Sequence, residues 1–210
     1  MPILKGAATF SRYRVEKSGK SPLPNKKDLP KLLRLRAFQP LDPTGPDERV
    51  FGFVELMAAD QADFTPGATY EGEYALFAFR IDEVRLPAAV VRAELDGWKK
   101  RFEAEHQRPP GKKEKSEAKE EVRHTLKSRY PLTTKTLDVS WNLTTDLLQI
   151  WAGSRKAVDE VQAAVEQAFT VQLVPVVPAS VAAALQLAIE TLSPTPALSM
   201  PDQEDAHGTN

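Results

Sequence analysis

The sequence contains no cysteine and only three histidines among its 210 residues. Without cysteine there are no disulfides, thiolate nucleophiles or iron–sulfur clusters, and no zinc site that needs sulfur. The histidines, at positions 106, 124 and 207, leave little imidazole for catalysis or metal binding. We therefore expect no catalytic residue, no metal site, no cofactor and no enzymatic activity.

Long apolar runs and clustered glycines are also missing. No stretch of about 18 apolar residues is present to cross a bilayer, so no membrane association is expected. The first residues lack the apolar core of a signal peptide, which predicts a cytoplasmic protein. The ten glycines are scattered singly, whereas a nucleotide-hydrolysing phosphate loop needs them in the pattern GxxxxGK[ST].

One acidic pattern is faintly similar to that of some nucleases. Asp96 is followed three residues later by Lys99 within a predicted helix. The same spacing is typical of a surface ion pair on the exposed side of a helix, and we favour that interpretation.

Charge is strongly segregated behind a net charge of only −1. Residues 1–36 carry ten Lys/Arg and two Asp/Glu, whereas residues 37–73 carry one and eight; residues 92–129 carry twelve and eight. A near-neutral chain with two basic segments can present a basic face while its remaining surface stays acidic. Chance clustering on solvated loops is the alternative explanation.

Apolar periodicity predicts an α+β fold. Residues 1–86 form a β-α-β-β block, and residues 132–191 form a β-β-α-β block with a final helix. We expect two small mixed β-sheets that flank a long antiparallel helical hairpin at residues 87–131. The acidic, proline-rich tail at residues 192–210 is predicted to be disordered.

The hairpin prediction rests on two helical patterns, at residues 88–106 and 113–129. Val91, Leu95, Trp98 and Phe102 recur at helical spacing in the first. The turn Pro109-Pro110-Gly111 separates the helices, and Pro131 ends the second.

Four basic residues recur at every fourth position of the second helix, and we call them the basic row: Lys115, Lys119, Arg123 and Lys127. Aligned like charges forgo the i,i+4 ion pairs that stabilise ordinary solvated helices and repel one another. The arrangement favours an external polyanion such as a phosphate backbone, although an acidic groove of a partner protein would fit it too.

The sequence resembles the family of the recombination-associated protein RdgC. The resemblance covers about residues 4–180 and is strongest over 86–129. It is carried by these residues and motifs: Leu86-Pro87, Val90-Val91, Leu95, Phe102-Glu103-Ala104-Glu105, Arg108, Lys112, Glu114-Lys115, Lys119-Glu120-Glu121-Val122, His124, Leu126, Arg129, Ala37-Phe38-Gln39-Pro40, Gly52-Phe53-Val54 and Pro175-Val176-Val177-Pro178.

The resemblance implies a non-enzymatic, nucleoid-associated protein that binds double-stranded DNA without sequence specificity. Its dimers are implied to close into a ring with a basic interior and to restrain the RecA recombinase by occupying DNA. The family's C-terminal portion has no counterpart after about residue 180, so ring, open dimer and monomer all remain possible expectations. The Pro109-Pro110-Gly111 bend is also less basic than in relatives.

These observations together predict a DNA interface and a dimer contact. The expected dimer contact is Tyr130, next to the hairpin. The alternative is a protein-interaction module that keeps the fold, dimerises through the hairpin and does not bind DNA. The predicted phosphate contacts are Arg108, Lys112, Lys113, Lys115, Lys119, Arg123, Lys127, Arg129, Arg12 and Arg14.

Overall fold

The computed structural model describes Ile3 and residues 9–19, 22–42 and 45–187. The chain divides after Val174 into two compact units. The predicted tail at 192–210 lies outside the described residues.

Within the described residues the chain forms seven strands and six helices, which alternate along most of the sequence. The elements are β1 (Ser11–Lys17), α1 (Leu29–Leu35), β2 (Arg49–Glu55), α2 (Pro66–Thr69), β3 (Tyr70–Glu71), β4 (Tyr74–Val84), α3 (Ala88–His106), α4 (Lys112–Lys127), β5 (Leu132–Asn142), β6 (Leu147–Trp151), α5 (Arg155–Phe169), β7 (Val171–Pro175) and α6 (Pro178–Ala184).

All seven strands belong to one sheet in the order β2-β4-β5-β6-β1-β7, with β3 paired to β4. The fold is thus α+β, but the predicted division into two small sheets is wrong. Strands β4 and β5 pair antiparallel over their full lengths, from Tyr74 opposite Asn142 to Val84 opposite Leu132. This pairing joins the two predicted blocks, because β4 ends the first block and β5 begins the second.

One face of the sheet carries the main core. Side chains alternate along each strand, so Phe77 and Phe79 of β4 share a face with Val139 and Trp141 of β5. The ring of Phe169, at the end of α5, lies 5.5 Å from that of Trp141 in an edge-to-face arrangement. Each such buried side chain contributes about 1.5–3 kcal/mol to folding.

A smaller apolar cluster lies around β2 and includes Phe38, Val54 and Ala78. It requires glycine at position 52, because a Cβ there would lie 2.4 Å from the Cα of Phe38. Gly52 therefore lets the segment after α1 lie directly against β2. The segment that follows carries acidic residues, and we call its described residues, 40–42 and 45–48, the acidic loop.

Helices α3 and α4 connect the end of β4 to the beginning of β5. Val91 is the one fully buried residue in α3, while Trp98 and Phe102 are half-buried with ring centroids 5.2 Å apart. Side chains of α3 and α4, including Trp98 and Val122, line a common cavity. No helix in the described part of the chain is long and apolar enough to span a bilayer.

Candidate nucleic-acid interface

The connection between α3 and α4 is fixed by backbone hydrogen bonds at both helix ends. Gln107 adopts the left-handed conformation, with φ of 55°, and its N–H donates to the Glu103 carbonyl to end α3. The Gly111 N–H donates to the Glu114 carboxylate at 2.7 Å, which satisfies one of the free donors before α4. These hydrogen bonds define the bend between α3 and α4, and the bend sets the direction in which α4 and its lysines continue.

Arg108 lies at this bend and is already paired. Its guanidinium donates to both carboxylate oxygens of Glu114, at 3.0 and 2.6 Å. These bonds, together with the bond from the Gly111 N–H, lower the pKa of Glu114 to about 2. Arg108 also lies over the Phe102 ring, 5.1 Å from its centroid. The predicted phosphate contact of Arg108 would compete with this internal pair.

Arg123 also has an internal partner. Its guanidinium donates to both carboxylate oxygens of Glu48, in the acidic loop, and the first of these bonds measures 2.6 Å. The pair raises the pKa of Arg123, because the carboxylate favours the charged guanidinium. The Arg123 side chain is 39% exposed, so it is half-buried rather than fully presented to solvent.

Lys127 is buried, with only 4% of the residue exposed. Its ammonium group donates to the backbone carbonyls of Asp42, at 2.7 Å, and Gly45, at 2.9 Å. A buried ammonium needs such acceptors, since an unpaired charge away from water is strongly unfavourable. Lys127, one of the predicted phosphate contacts, is therefore held by the protein's own backbone and is not presented to solvent.

The N-terminal half of the basic row is exposed to solvent, in contrast to Lys127. Lys115 and Lys119 are exposed, and neither has a salt-bridge partner among the residues that the structure describes. Lys112 is exposed in the first turn of α4, and the Lys113 ammonium lies 3.8 Å from Glu117. We call the exposed lysines at positions 112, 115 and 119 the lysine strip.

The lysine strip begins at the positive end of the helix dipole. Cations in the first turn of a helix are unfavourable by some tenths of a kcal/mol, because the free N–H groups there carry partial positive charge. Lys112 and Lys113 both occupy this turn, and Glu114 is the one acid in it. Negative charge supplied from outside would relieve this repulsion, which makes the strip suited to an anion.

The remaining predicted contacts lie elsewhere. Arg12 and Arg14 are exposed on β1 and alternate with the buried Tyr13 and Val15, so they project from the sheet face opposite the main core. Arg12 lies over the ring of Phe10, 5.6 Å from its centroid.

Arg129 is exposed and lines the cavity between α3 and α4, and Tyr130, the predicted dimer contact, is half-buried.

The internal partners of the basic row were not predicted from the sequence. Glu48 and the carbonyls of Asp42 and Gly45 all come from the acidic loop. A signal was available, because residues 37–73 carry eight acids and one base and can offer partners to a basic helix. The spacing of the row did not show which of its members that loop would cover.

The arrangement offers exposed cationic groups on the first half of α4. Within the described ranges, no group of three or more histidine or carboxylate side chains lies close enough together to hold a metal ion. The Lys99 ammonium lies 3.8 Å from Glu103, one turn further along α3. This is an ordinary i,i+4 ion pair.

A model of one known protein family, with the description "Putative exonuclease, RdgC", matches residues 9–191. The match spans β1 to α6 and includes the whole of α3 and α4. No curated protein matches the chain significantly.

Proposed function

This chain belongs to the RdgC family of recombination-associated proteins, and we propose that it binds double-stranded DNA through the phosphate backbone, without reading sequence. Bound along DNA on the bacterial nucleoid, it limits the access of the RecA recombinase. It does so by occupancy and not by cutting the strand.

The lysine strip is the observation that carries this proposal. Lys115 and Lys119 are four residues apart, which separates them by about 6 Å along the helix axis. Each ammonium can therefore reach a different phosphate of one strand. Neither has an internal salt bridge to break among the described residues, so phosphate contact costs no existing pair. Condensed counterions released from the DNA supply the favourable free energy.

Low sequence specificity follows from the residues that α4 offers. Base edges in the major groove are recognised mainly by Arg or Lys on guanine and by Asn or Gln on adenine. Helix α4 contains no Asn or Gln, and its single arginine is held by Glu48. Contacts to phosphates alone position a protein on the duplex without distinguishing one base pair from another.

A homodimer would extend this contact. The strip of one subunit covers about two turns of helix, which reaches only a small arc of a duplex. A second copy related by twofold symmetry presents the same strip to another part of the backbone. Tyr130, next to the C-terminal end of α4, is the proposed dimer contact.

The salt dependence of duplex binding tests the proposal. In the variant Lys115→Gln/Lys119→Gln, we expect the slope of log affinity against log salt to become shallower by roughly 1.8, at 0.9 per lost phosphate contact. The change should be equal for unrelated duplex sequences. The matched control is Lys99→Gln/Lys100→Gln, which removes the same charge from exposed positions of α3 and should leave the slope unchanged.

Two outcomes would contradict the DNA proposal. A folded Lys115/Lys119 variant with an unchanged slope would show that the strip does not contact phosphates. Absence of duplex binding by the natural protein even at low salt would favour the protein-interaction module instead.

Nuclease activity is the second candidate, because the matching family description contains the word exonuclease. Incubation with end-labelled linear duplex and Mg²⁺ separates the two functions. We expect strands of unchanged length at protein concentrations that saturate the duplex, since binding by phosphate contact breaks no bond. Progressive shortening from the ends would establish the nuclease instead.

A further inference from the structure

A cleft of about 400 Å³ lies at one end of the main-core face of the sheet, between the strands and the beginning of α5. It is separate from the lysine strip and shares no residue with it. Its size falls within the range of about 300–1,000 Å³ that is usual for small-molecule sites. Ile81 and Ala157 form an apolar part of the wall.

Four cations line this cleft, and two of them have carboxylate partners. Arg49 donates to Glu160 at 2.8 Å, and Arg85 donates to Glu83 at 3.0 Å. Each acid holds a guanidinium at the wall of the cleft and neutralises one charge. The remaining two cations are not neutralised by these acids and give the site its net positive charge.

Lys135 and Lys156 are those two cations. Lys135 lies opposite Ile81 in the pairing of β4 with β5, and Lys156 lies in the first turn of α5. Both are exposed, and neither has an acidic partner within the described part of the chain. The cleft therefore keeps an excess of two positive charges that come from different elements and converge on one space. The hydroxyl groups of Thr133 and Ser154 add neutral donors.

An aromatic ring lies next to two of the residues that line the cleft, Ile81 and Arg49. Phe51 lies opposite Ile81 in the pairing of β2 with β4 and is 56% exposed, which is unusual for phenylalanine. The Arg49 guanidinium lies 5.4 Å from the centroid of its ring. An exposed ring beside a cationic site is the combination that binds a nucleotide, since the base stacks on the ring and the cations hold the phosphate.

We propose that this cleft binds the phosphate of a nucleotide, with Lys135 and Lys156 on the phosphate oxygens and Phe51 against the base. The nucleotide is either a free mononucleotide or the phosphorylated end of a DNA strand, because both present the same phosphomonoester. The site is independent of duplex binding by the lysine strip.

Calorimetric titration with deoxyadenosine 5′-monophosphate at low salt tests the site. We expect saturable binding by the natural protein and a loss of about tenfold or more in the variant Lys135→Gln/Lys156→Gln, because two charge-assisted hydrogen bonds are removed. Both lysines are exposed, so the variant should fold. Deoxyadenosine without phosphate and inorganic phosphate without base should each bind more weakly than the nucleotide.

The control variant is Lys115→Gln/Lys119→Gln, which should bind the nucleotide as the natural protein does. Closed circular duplex has no strand end, so the Lys135/Lys156 variant should bind it normally. Failure of the natural protein to bind circular duplex would overturn the proposed function alone, whereas a failure confined to the Lys135/Lys156 variant would overturn the independence of the cleft. The nucleotide site is overturned if the natural protein gives no saturable binding, if the Lys135/Lys156 variant binds equally well, or if inorganic phosphate binds as tightly as the nucleotide.

Single-stranded oligonucleotides identify the source of the phosphate. A strand with a 5′-phosphate that competes with the mononucleotide more strongly than the same strand with a 5′-hydroxyl supports a DNA end as ligand. Equal and weak competition by both strands, together with tight mononucleotide binding, supports a free nucleotide.

Discussion

The two halves of helix α4 carry the same kind of side chain at the same spacing and place them in opposite environments. Lys115 and Lys119 extend into solvent, whereas Arg123 is half-buried against Glu48 and Lys127 is buried beneath the loop that contains Asp42. The loop covers only the C-terminal half of the helix. A repeat of basic residues can thus leave its charges exposed at one end and hold a loop at the other.

The largest expected effect is on stability, from Lys127→Met. The substitution removes the two hydrogen bonds that the buried ammonium donates to the part-buried carbonyls of Asp42 and Gly45, which should lower the free energy of unfolding by about 1–3 kcal/mol. The matched control Lys119→Met changes an exposed residue and should alter stability by less than about 0.5 kcal/mol. Urea denaturation measures the free energy of unfolding of both variants. Equal losses of stability would show that Lys127 and Lys119 do not differ in their contribution to the fold.

A smaller effect is expected at the half-buried pair. A double-mutant cycle with Arg123→Gln and Glu48→Gln should give a coupling free energy of about 1 kcal/mol, since both carboxylate oxygens are bonded but the side chains remain 39% and 26% exposed. Solvent screening limits the value, so added salt should reduce it. A coupling free energy of zero at low salt would show that Glu48 does not stabilise the position of Arg123, so that Arg123 would resemble the exposed lysines Lys115 and Lys119.

The smallest effect is a local pKa change at the bend that precedes α4. Replacing Arg108 with Gln should raise the pKa of Glu114 from about 2 toward 4.5, but not fully, because the Gly111 N–H still donates to the carboxylate. The lowered pKa means that the pair stabilises the bend above about pH 4.5, and that this stability is lost as the pH falls toward 2.

NMR titration of the Glu114 carboxyl measures this shift. The control is Lys113→Gln, which removes a charge beside the same bend without touching Glu114, since Lys113 contacts Glu117. If the pKa of Glu114 stays near 2 after the Arg108 substitution, the pair with Arg108 is not the main cause of that lowered pKa.

Local patterns gave most of the helices and strands. The stripe in residues 88–106 predicts α3 with the bounds that the structure shows, because apolar periodicity and the Pro109-Pro110 stop are local properties. The short α2 and β3 were missed, since four-residue and two-residue elements depend on their neighbours. The single sheet was missed as well, because β4 and β5 are separated by 47 residues, from 85 to 131, and pair through a long-range contact.

The sequence by itself determined the α+β class, the family and a helix with four aligned basic residues. Its periodicity and motifs are properties of neighbouring residues, and a resemblance needs nothing more. The tertiary structure alone decided that β4 and β5 join the two halves into one sheet. It also decided that Lys127 is buried while Lys119 is exposed, because a side chain's surroundings depend on which distant segment the folded chain brings against it, and here that segment is the acidic loop.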